Sequence, residues 1–300
     1  MLFVNNSNRG DPSDVKQVLF PLHLQIWCCR FWQLTQWECN EMTFPYWRLY
    51  WNKTSNGEIS IHNQVFDMDR SSIFIIPPFT LYNTHIKDHR RITEGINVKG
   101  CRIDKSHDED NLAKDQLLHL FIHFNLGVPF DRVLPGIYKI DIDLEQQHRL
   151  QRVTEFLKTE NVNFPLNLNI YLHSVITEHV AHLKEELWQT TKIDSRVIDV
   201  IRLIEKELDK NLSNEVLSQH IKMATNSFIR LFHNEMQLSP QSYIKRQKID
   251  KACLLLHHSD FSIDRIASTL GFSDRYHFSK VFKKIVQKSP ASYRKGRVGV

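Results

Sequence analysis

The stretch Ile263-Asp264-Arg265-Ile266-Ala267-Ser268-Thr269-Leu270-Gly271-Phe272-Ser273-Asp274-Arg275-Tyr276-His277-Phe278-Ser279-Lys280-Val281-Phe282-Lys283-Lys284 decides how the chain is read. Ser262 stands where an N-cap belongs, Ile263, Ile266, Ala267 and Leu270 recur at helical spacing, and Gly271 can end the helix in a left-handed conformation. Ser273 or Asp274 then caps a second helix, whose Phe278, Val281, Phe282 and Ile285 make one apolar face before Pro290 closes the unit. The opposite face carries Arg275, Tyr276, His277, Ser279, Lys280, Lys283 and Lys284. On the second helix of a helix-turn-helix, these are the groups that reach base edges and phosphates. One such helix alone is more often a solvated basic face on a small bundle, so the reading needs a second support.

A repeat supplies it. Leu212-Ser213-Asn214-Glu215-Val216-Leu217 aligns with Phe261-Ser262-Ile263-Asp264-Arg265-Ile266, and beyond the turn Phe228 falls on Phe278, Phe232 on Phe282, and Ser239-Pro240-Gln241-Ser242-Tyr243 on Ser289-Pro290-Ala291-Ser292-Tyr293. Two copies are too few for a solenoid, so this is one duplicated module. Between the copies, 240–257 reads as a connecting helix burying Tyr243, Ile244, Ala252, Cys253 and Leu256. A rigid connector lets both second helices enter successive major-groove segments on one DNA face, about 34 Å apart.

The runs Ile263 to Ala267, Leu270 to Asp274, Tyr276 to Lys284 and Ser289 to Arg294 resemble the signature of the AraC/XylS family of transcription regulators, over about the last hundred residues. In the first copy the second helix runs from about Thr225 to Glu235, and the resemblance brings Asn226, Ile229 and Arg230 to the major groove. Asn and Arg can pair bidentately with adenine and guanine edges, while Ile229 can only contact a thymine methyl. The first copy departs from the family pattern at its turn, with Lys222 in place of Gly and Ala224 in place of a capping Ser. In the second copy, Arg275 and Lys280 are assigned to base or phosphate contact, Tyr276, His277 and Ser279 to the groove surface, and Lys283 and Lys284 to phosphates. Arg294 and Lys295 read as solvated tail charges.

Charge divides the chain at the same place. From Ser195 onward there are 19 Lys and Arg against 10 Asp and Glu, and before it 20 against 24, so a net +5 conceals +9 and −4. A basic C-terminal part fits a nucleic-acid partner, here double-stranded promoter DNA, and the acidic remainder does not. The five cysteines Cys28, Cys29, Cys39, Cys101 and Cys253 are odd in number and have no framework spacing, which points to a reducing cytoplasm. No apolar run is long enough to span a membrane, and the polar start is unlike a signal peptide.

Upstream, residues 1–18 are rich in Asn, Asp and Ser and read as an arm. Over 19–143, short runs of β-branched and aromatic residues alternate with turn formers: Leu22 to Leu34, Tyr46 to Trp51, Glu58 to His62, Ser72 to Ile76, Tyr82 to Ile86, Ile92 to Val98 and Leu117 to Phe124. Turn signals stand at Ser55-Asn56-Gly57, Pro77-Pro78 and Lys99-Gly100, and a charged loop at Lys105 to Ala113. An antiparallel barrel or jelly roll follows, giving a two-domain α+β chain. The order Asn56-Gly57-Glu58, Ile75-Ile76-Pro77-Pro78, Thr80, Tyr82, His85 and His119-Leu120-Phe121-Ile122-His123-Phe124 is similar to the cupin-like domain many AraC-family regulators carry. That resemblance implies a small effector bound inside the barrel. The pocket candidates are Arg48, Tyr50, Asn52, Tyr82, Thr84, His119 and Phe121, because alternation sets Arg48, Tyr50 and Asn52 on the face opposite Trp47, Leu49 and Trp51. An Arg suits hydroxyls or a carboxylate, so the effector is expected to be a small polar metabolite, with sugars foremost. Five of six tryptophans lie between Trp27 and Trp51, and filling the barrel is their commoner use than stacking on a sugar.

Two helices should follow over 144–189. The stripe Leu172, Val175, Ile176, His179, Val180, Leu183 and Leu187 on the second, Leu168 to Gln189, fits either packing on the barrel or a dimer seam, and the family resemblance favours a homodimer. Residues 190–194 then form a linker into a DNA-binding domain over 195–297, with helix-turn-helix units at about 213–236 and 262–286. Sixteen histidines raise the question of a metal, and His85, His119 and His123 could share a cavity, which would suit a cupin-type metal enzyme with a DNA-binding tail. A metal-binding cupin is expected to show His-x-His followed closely by Glu, which is missing, and no phosphate loop, nucleophile elbow or zinc-protease helix is visible. The expectation is therefore a regulator, not an enzyme, without metal or cofactor, and as an activator a partner of RNA polymerase.

Overall fold

The computed structural model describes residues 22–92, 95–104, 116–159, 164–189, 193–286 and 288–295. The arm at 1–18, the charged loop at 105–113 and linker residues 190–192 lie outside the described residues.

Among the described residues, nine strands make one antiparallel sheet, ordered β4-β3-β6-β1-β8-β2-β5-β9, with β7 also on β1. They are β1 Gln25–Met42, β2 Trp47–Asn52, β3 Gly57–Ile61, β4 Gln64–Met68, β5 Ser72–Ile76, β6 Tyr82–Ile86, β7 Ile96–Arg102, β8 Leu117–Asn125 and β9 Tyr138–Asp141. The 18-residue β1 is the spine, pairing β8 along its first half and β7 and β6 along its second, and the sheet curls into a half-barrel around it. Because successive side chains point to opposite faces, every residue of β2 can be buried. Trp47, Leu49 and Trp51 enter an outer core with Phe31, Leu120 and Ile122, while Tyr50 joins Trp32, Trp37 and Phe74 on the inner face.

Four details differ from the sequence reading. β1 continues to Met42, through two register shifts that absorb the curvature. β4 and β9 were not anticipated, because both alternate weakly and stand largely exposed at the two ends of the strand order. Gly100 lies inside β7 instead of a turn. A Cβ there would stand 2.3 Å from the carbonyl oxygen of Gln33, so the glycine serves a close approach of strands.

The outer core is completed by α1 Leu144–Leu157, entered through a capping box of Asp143 and Gln146, and α2 Leu166–Ala181. The second helix is shorter than its apolar period suggests. It stops at Ala181, Lys184 turns extended, and Leu187 lies in a 3₁₀ turn. Leu172, Val175, Ile176, Val180 and Leu183 all pack into the outer core with Leu187 against it, and His179 is buried too, so the stripe read as a dimer seam is spent on the sheet.

The helices α3 Ser195–Lys206, α4 Asn214–His220, α5 Thr225–Met236, α6 Pro240–His258, α7 Ile263–Thr269, α8 Arg275–Val286 and α9 Pro290–Lys295 make up the C-terminal part. They enclose two separate cores. One joins α3, α4 and α5 to Tyr243 and Ile244 of α6, and the other joins α7 and α8 to Ile249, Ala252, Cys253 and Leu256 of the same helix. The 19 residues of α6 extend about 28 Å at 1.5 Å per residue. Arg294 is not a solvated tail charge, since its guanidinium donates to the carbonyl of Phe261 and ties α9 to the start of α7.

Candidate functional site

The two helix-turn-helix units superpose chemically down to ring geometry. Phe228 and Phe232 meet at 5.7 Å and 67°, Phe278 and Phe282 at 5.6 Å and 60°. Phe232 meets Tyr243 at 5.5 Å and 72°, Phe282 meets Tyr293 at 5.6 Å and 77°. Ser213 and Ser262 each cap the first helix of their unit through the backbone N–H three residues on.

The turns are where the copies part. Lys222 adopts φ 53° and Gly271 φ 65°, so a lysine occupies a left-handed position that favours glycine. Ala224 offers no side chain to cap α5, whereas Asp274 Oδ1 accepts from the N–H of His277 at 2.7 Å, which makes Asp274 the cap of α8. The amide and the Ser273 hydroxyl hold the Asp274 carboxyl below the usual carboxylate range.

The outer face of α5 exposes Asn226 and Arg230, while Ile229 is half-buried and packs against the first core. On α8, Arg275, Tyr276, His277, Lys280, Lys283 and Lys284 are exposed and Ser279 is half-buried. Tyr276, 86% exposed, presents a whole aromatic ring to solvent. Arg275 reaches Asp264 of α7 at 3.3 Å, an exposed pair of small worth.

A second site lies within the half-barrel. A cavity of about 60 Å³ is walled by Trp32, Trp37, Phe44, Tyr50, Tyr82, Thr84, His119 and Phe121, with Arg30 and no carboxylate among its lining residues. Cross-strand pairing explains the grouping: Trp32 opposes His119, Arg30 opposes Phe121, and Tyr50 opposes Phe121 from the other side of β8. Five of the seven pocket candidates, Tyr50, Tyr82, Thr84, His119 and Phe121, therefore line one space. Arg48 and Asn52 stand behind the wall. Arg48 is fully buried, its guanidinium 4.2 Å from the Phe44 ring and 4.8 Å from that of Tyr82, and none of its nitrogens has a hydrogen-bond partner of normal geometry among the described residues. Asn52 Oδ1 meets His119 Nδ1 at 2.7 Å and orients that ring, while burial pushes the His119 pKa down to about 3 and keeps it neutral.

The cavity is also lined by residues absent from the sequence reading, His257 and His258 at the end of α6. His257 meets the ring of Phe44 at 5.7 Å, and His258 Nε2 lies 3.3 Å from His123 Nδ1. Further back, Leu254 inserts into the inner core, Lys251 lies over Trp27 at 5.8 Å and Arg246 over Phe79 at 5.0 Å. Positions 246, 251, 254, 257 and 258 lie on the side of α6 that carries Tyr243 and Ile244 and away from Ile249, Ala252, Cys253 and Leu256, so one helix serves both helix-turn-helix cores and the barrel. The signal was present as a His pair continuing that face, but only tertiary contact shows what it meets.

A cleft of about 210 Å³ also opens between sheet and helices, lined by Asp131, Glu205 and Asp250. Burial raises the carboxyls of Glu205 and Asp250 to about 7, with Asp131 adding to Glu205 and Arg246 opposing at Asp250. His85 does not join His119 and His123. Its Nδ1 lies 3.8 Å from Glu38, beside His89, which removes the three-histidine centre that an enzyme of cupin type would have used. No described helix is long and apolar enough to cross a membrane.

Residues 217–296 match a family model described as a helix-turn-helix domain. The HTH-type transcriptional activator RhaS of Escherichia fergusonii is 30% identical over 168 residues, 54% of this chain and 59% of that protein. The arabinose operon regulatory protein of Salmonella typhimurium is 30% identical over 126 residues, 42% and 44% of the two chains. The chain thus spans about half the length of these curated relatives. In fold, the crystal structure of ToxT from Vibrio cholerae is similar over 92% of this chain and 99% of that one, with a TM-score of 0.50 at 13% identity.

Proposed function

With an AraC/XylS-type regulator as the premise, a cupin-like sheet followed by paired helix-turn-helix units, we propose that the protein is a ligand-responsive transcription activator whose effector enters the half-barrel and acts on DNA binding through α6. The observation that carries this reading is the triple role of α6, which packs into both helix-turn-helix cores and lines the cavity with His257 and His258. A cavity of about 60 Å³ is small. An engineered cavity of about 150 Å³ holds benzene, so any sugar-sized ligand must displace part of the lining, and on this reading it is the end of α6 at His257 and His258 that gives way. Displacing it moves the helix that fixes the two DNA readers, which gives the effector different affinities for two states, as coupling requires.

The lining chemistry selects the effector class. Aromatic walls suit an apolar ring face, the hydroxyls of Tyr50, Tyr82 and Thr84 suit hydroxyl groups, and Arg30 with the buried Arg48 favours a neutral or acidic molecule over a cation. A sugar or sugar acid meets all three conditions, and the name of the arabinose operon regulatory protein is consistent with it. Asn226, Ile229 and Arg230 on α5 and Arg275, Tyr276, His277, Ser279, Lys280, Lys283 and Lys284 on α8 are the proposed DNA contacts, with RNA polymerase the partner of an activator. A homodimer cannot use the buried stripe of α2 and is assigned instead to its exposed side, where Leu166 and Ile170 stand one turn apart. The test is calorimetry against sugars and organic acids with operator binding measured in the same samples. If no compound alters operator affinity, the effector reading fails.

A further inference from the structure

We propose that Cys28, His123 and His258 form a binding site for one thiophilic metal ion, Zn²⁺ or Cu⁺, which staples the DNA-binding helices to the barrel. One potential ligand atom from each of the three residues lies within 4.8 Å of the other two. They come from three separate elements, β1, β8 and α6, and from positions up to 230 residues apart in the sequence, so the grouping is made by the fold and not by a local run.

The geometry fits an ion. Cys28 and His123 are direct cross-strand partners beside the register shift at Ile26 and Cys28, and this sends Cys28 inward while its neighbour Cys29 enters the outer core. His123 Nδ1 and His258 Nε2 are 3.3 Å apart. Two imidazole nitrogens each about 2.0–2.1 Å from a tetrahedral ion stand roughly 3.3–3.4 Å apart, so the histidine pair already has the spacing of a coordination edge. Thiolate and imidazole are the donors Zn²⁺ and Cu⁺ select, whereas Mg²⁺ and Ca²⁺ require oxygen. Cys28 and His258 are only half-buried, and both histidines line the cavity, so an ion has a path in and a fourth coordination position would face the cavity.

The two ions differ in charge beside Arg30 and Arg48: with one thiolate, Cu⁺ adds no net charge and Zn²⁺ adds one. Separate titrations distinguish them, one with Zn²⁺ against a chromophoric chelator and one with Cu⁺ under anaerobic reducing conditions. The full chain is expected to bind one equivalent of at least one ion. Cys28→Ser and His258→Gln should each weaken that binding by about 100-fold or more, beyond the roughly 10- to 100-fold that losing a residue which merely orients a ligand costs. Cys101→Ser, at an exposed cysteine, should leave it unchanged. Metal should also raise the melting temperature of the unsubstituted chain but not that of the two ligand variants. Circular dichroism of the metal-free variants checks that they fold, and His258→Gln carries the test if Cys28→Ser does not. Binding below a tenth of an equivalent for both ions, or binding unaffected by the folded ligand variants, overturns the site. Neither result bears on whether an organic effector changes operator affinity.

Discussion

The two helix-turn-helix copies share caps, ring geometry and core positions, yet their turns solve the same left-handed step differently. Gly271 does more than permit φ 65°. A Cβ there would lie 1.9 Å from the carbonyl oxygen of Asp209, so the second turn is pressed against the loop between α3 and α4. Lys222 takes φ 53° with its side chain exposed, at a conformational cost of about 1 kcal/mol. The difference teaches that the glycine of the pattern is demanded by packing in the second copy and by backbone preference alone in the first. Cationic chemistry is divided as unequally: α8 exposes Arg275, Lys280, Lys283 and Lys284, whereas on α5 Arg230 is the one Lys or Arg.

The largest expected effect tests the packed turn. Gly271→Ala should destabilise the domain by about 2–4 kcal/mol, adding left-handed strain to overpacking against backbone, and a chemical denaturation curve measures it. A loss below about 1 kcal/mol would erase the distinction between the turns. Next come the readers. Arg275→Ala and Arg230→Ala should each weaken specific operator binding by about 1–3 kcal/mol while leaving the melting temperature in place. Operator binding unchanged by either variant removes that residue from the DNA face.

The helix joining the copies gives a pH-dependent effect. Burial raises the Asp250 carboxyl from 3.8 to about 7, so the folded chain holds a proton that the unfolded chain releases. This contribution falls as pH rises from about 4 through 7 and is constant outside that window. Asp250→Asn should therefore flatten the stability profile between those values, and an undiminished slope would assign the dependence elsewhere. The smallest effect concerns the missing cap: Ala224→Ser should stabilise the first unit by about 1 kcal/mol, read as a higher denaturation midpoint. No gain would show that the Ser218 and Thr225 hydroxyls, 3.0 Å apart, already secure that turn.

The duplicated module was legible because most of its determinants are local. Ser213 and Ser262 act within a few residues of themselves, the left-handed step at Gly271 is a property of its own backbone even though its packing on Asp209 is not, and the Phe pairs sit one helical turn apart. The sheet was legible in most of its strands, and alternation alone separated Arg48, Tyr50 and Asn52 from Trp47, Leu49 and Trp51. What escaped is non-local or weakly patterned. β4 and β9 bury too little to alternate strongly, and Leu183 and Leu187 continue a helical period through a segment that has left the helix. Arg48 has the right strand face, yet Phe44 and Tyr82 hold it behind the cavity wall. His258 reaches His123 across 135 residues, a meeting no periodicity encodes.

The central claim is that filling the half-barrel changes DNA binding through α6. It is tested most directly by recording cavity occupancy, from the fluorescence of Trp32 and Trp37 in its wall, together with operator Kd across sugars and organic acids. The account predicts that a compound perturbing the tryptophans also shifts operator Kd by about fivefold or more, the low end of typical coupling, and that His257→Ala with His258→Ala reduces that shift. A compound that fills the cavity and leaves operator Kd unchanged would contradict it.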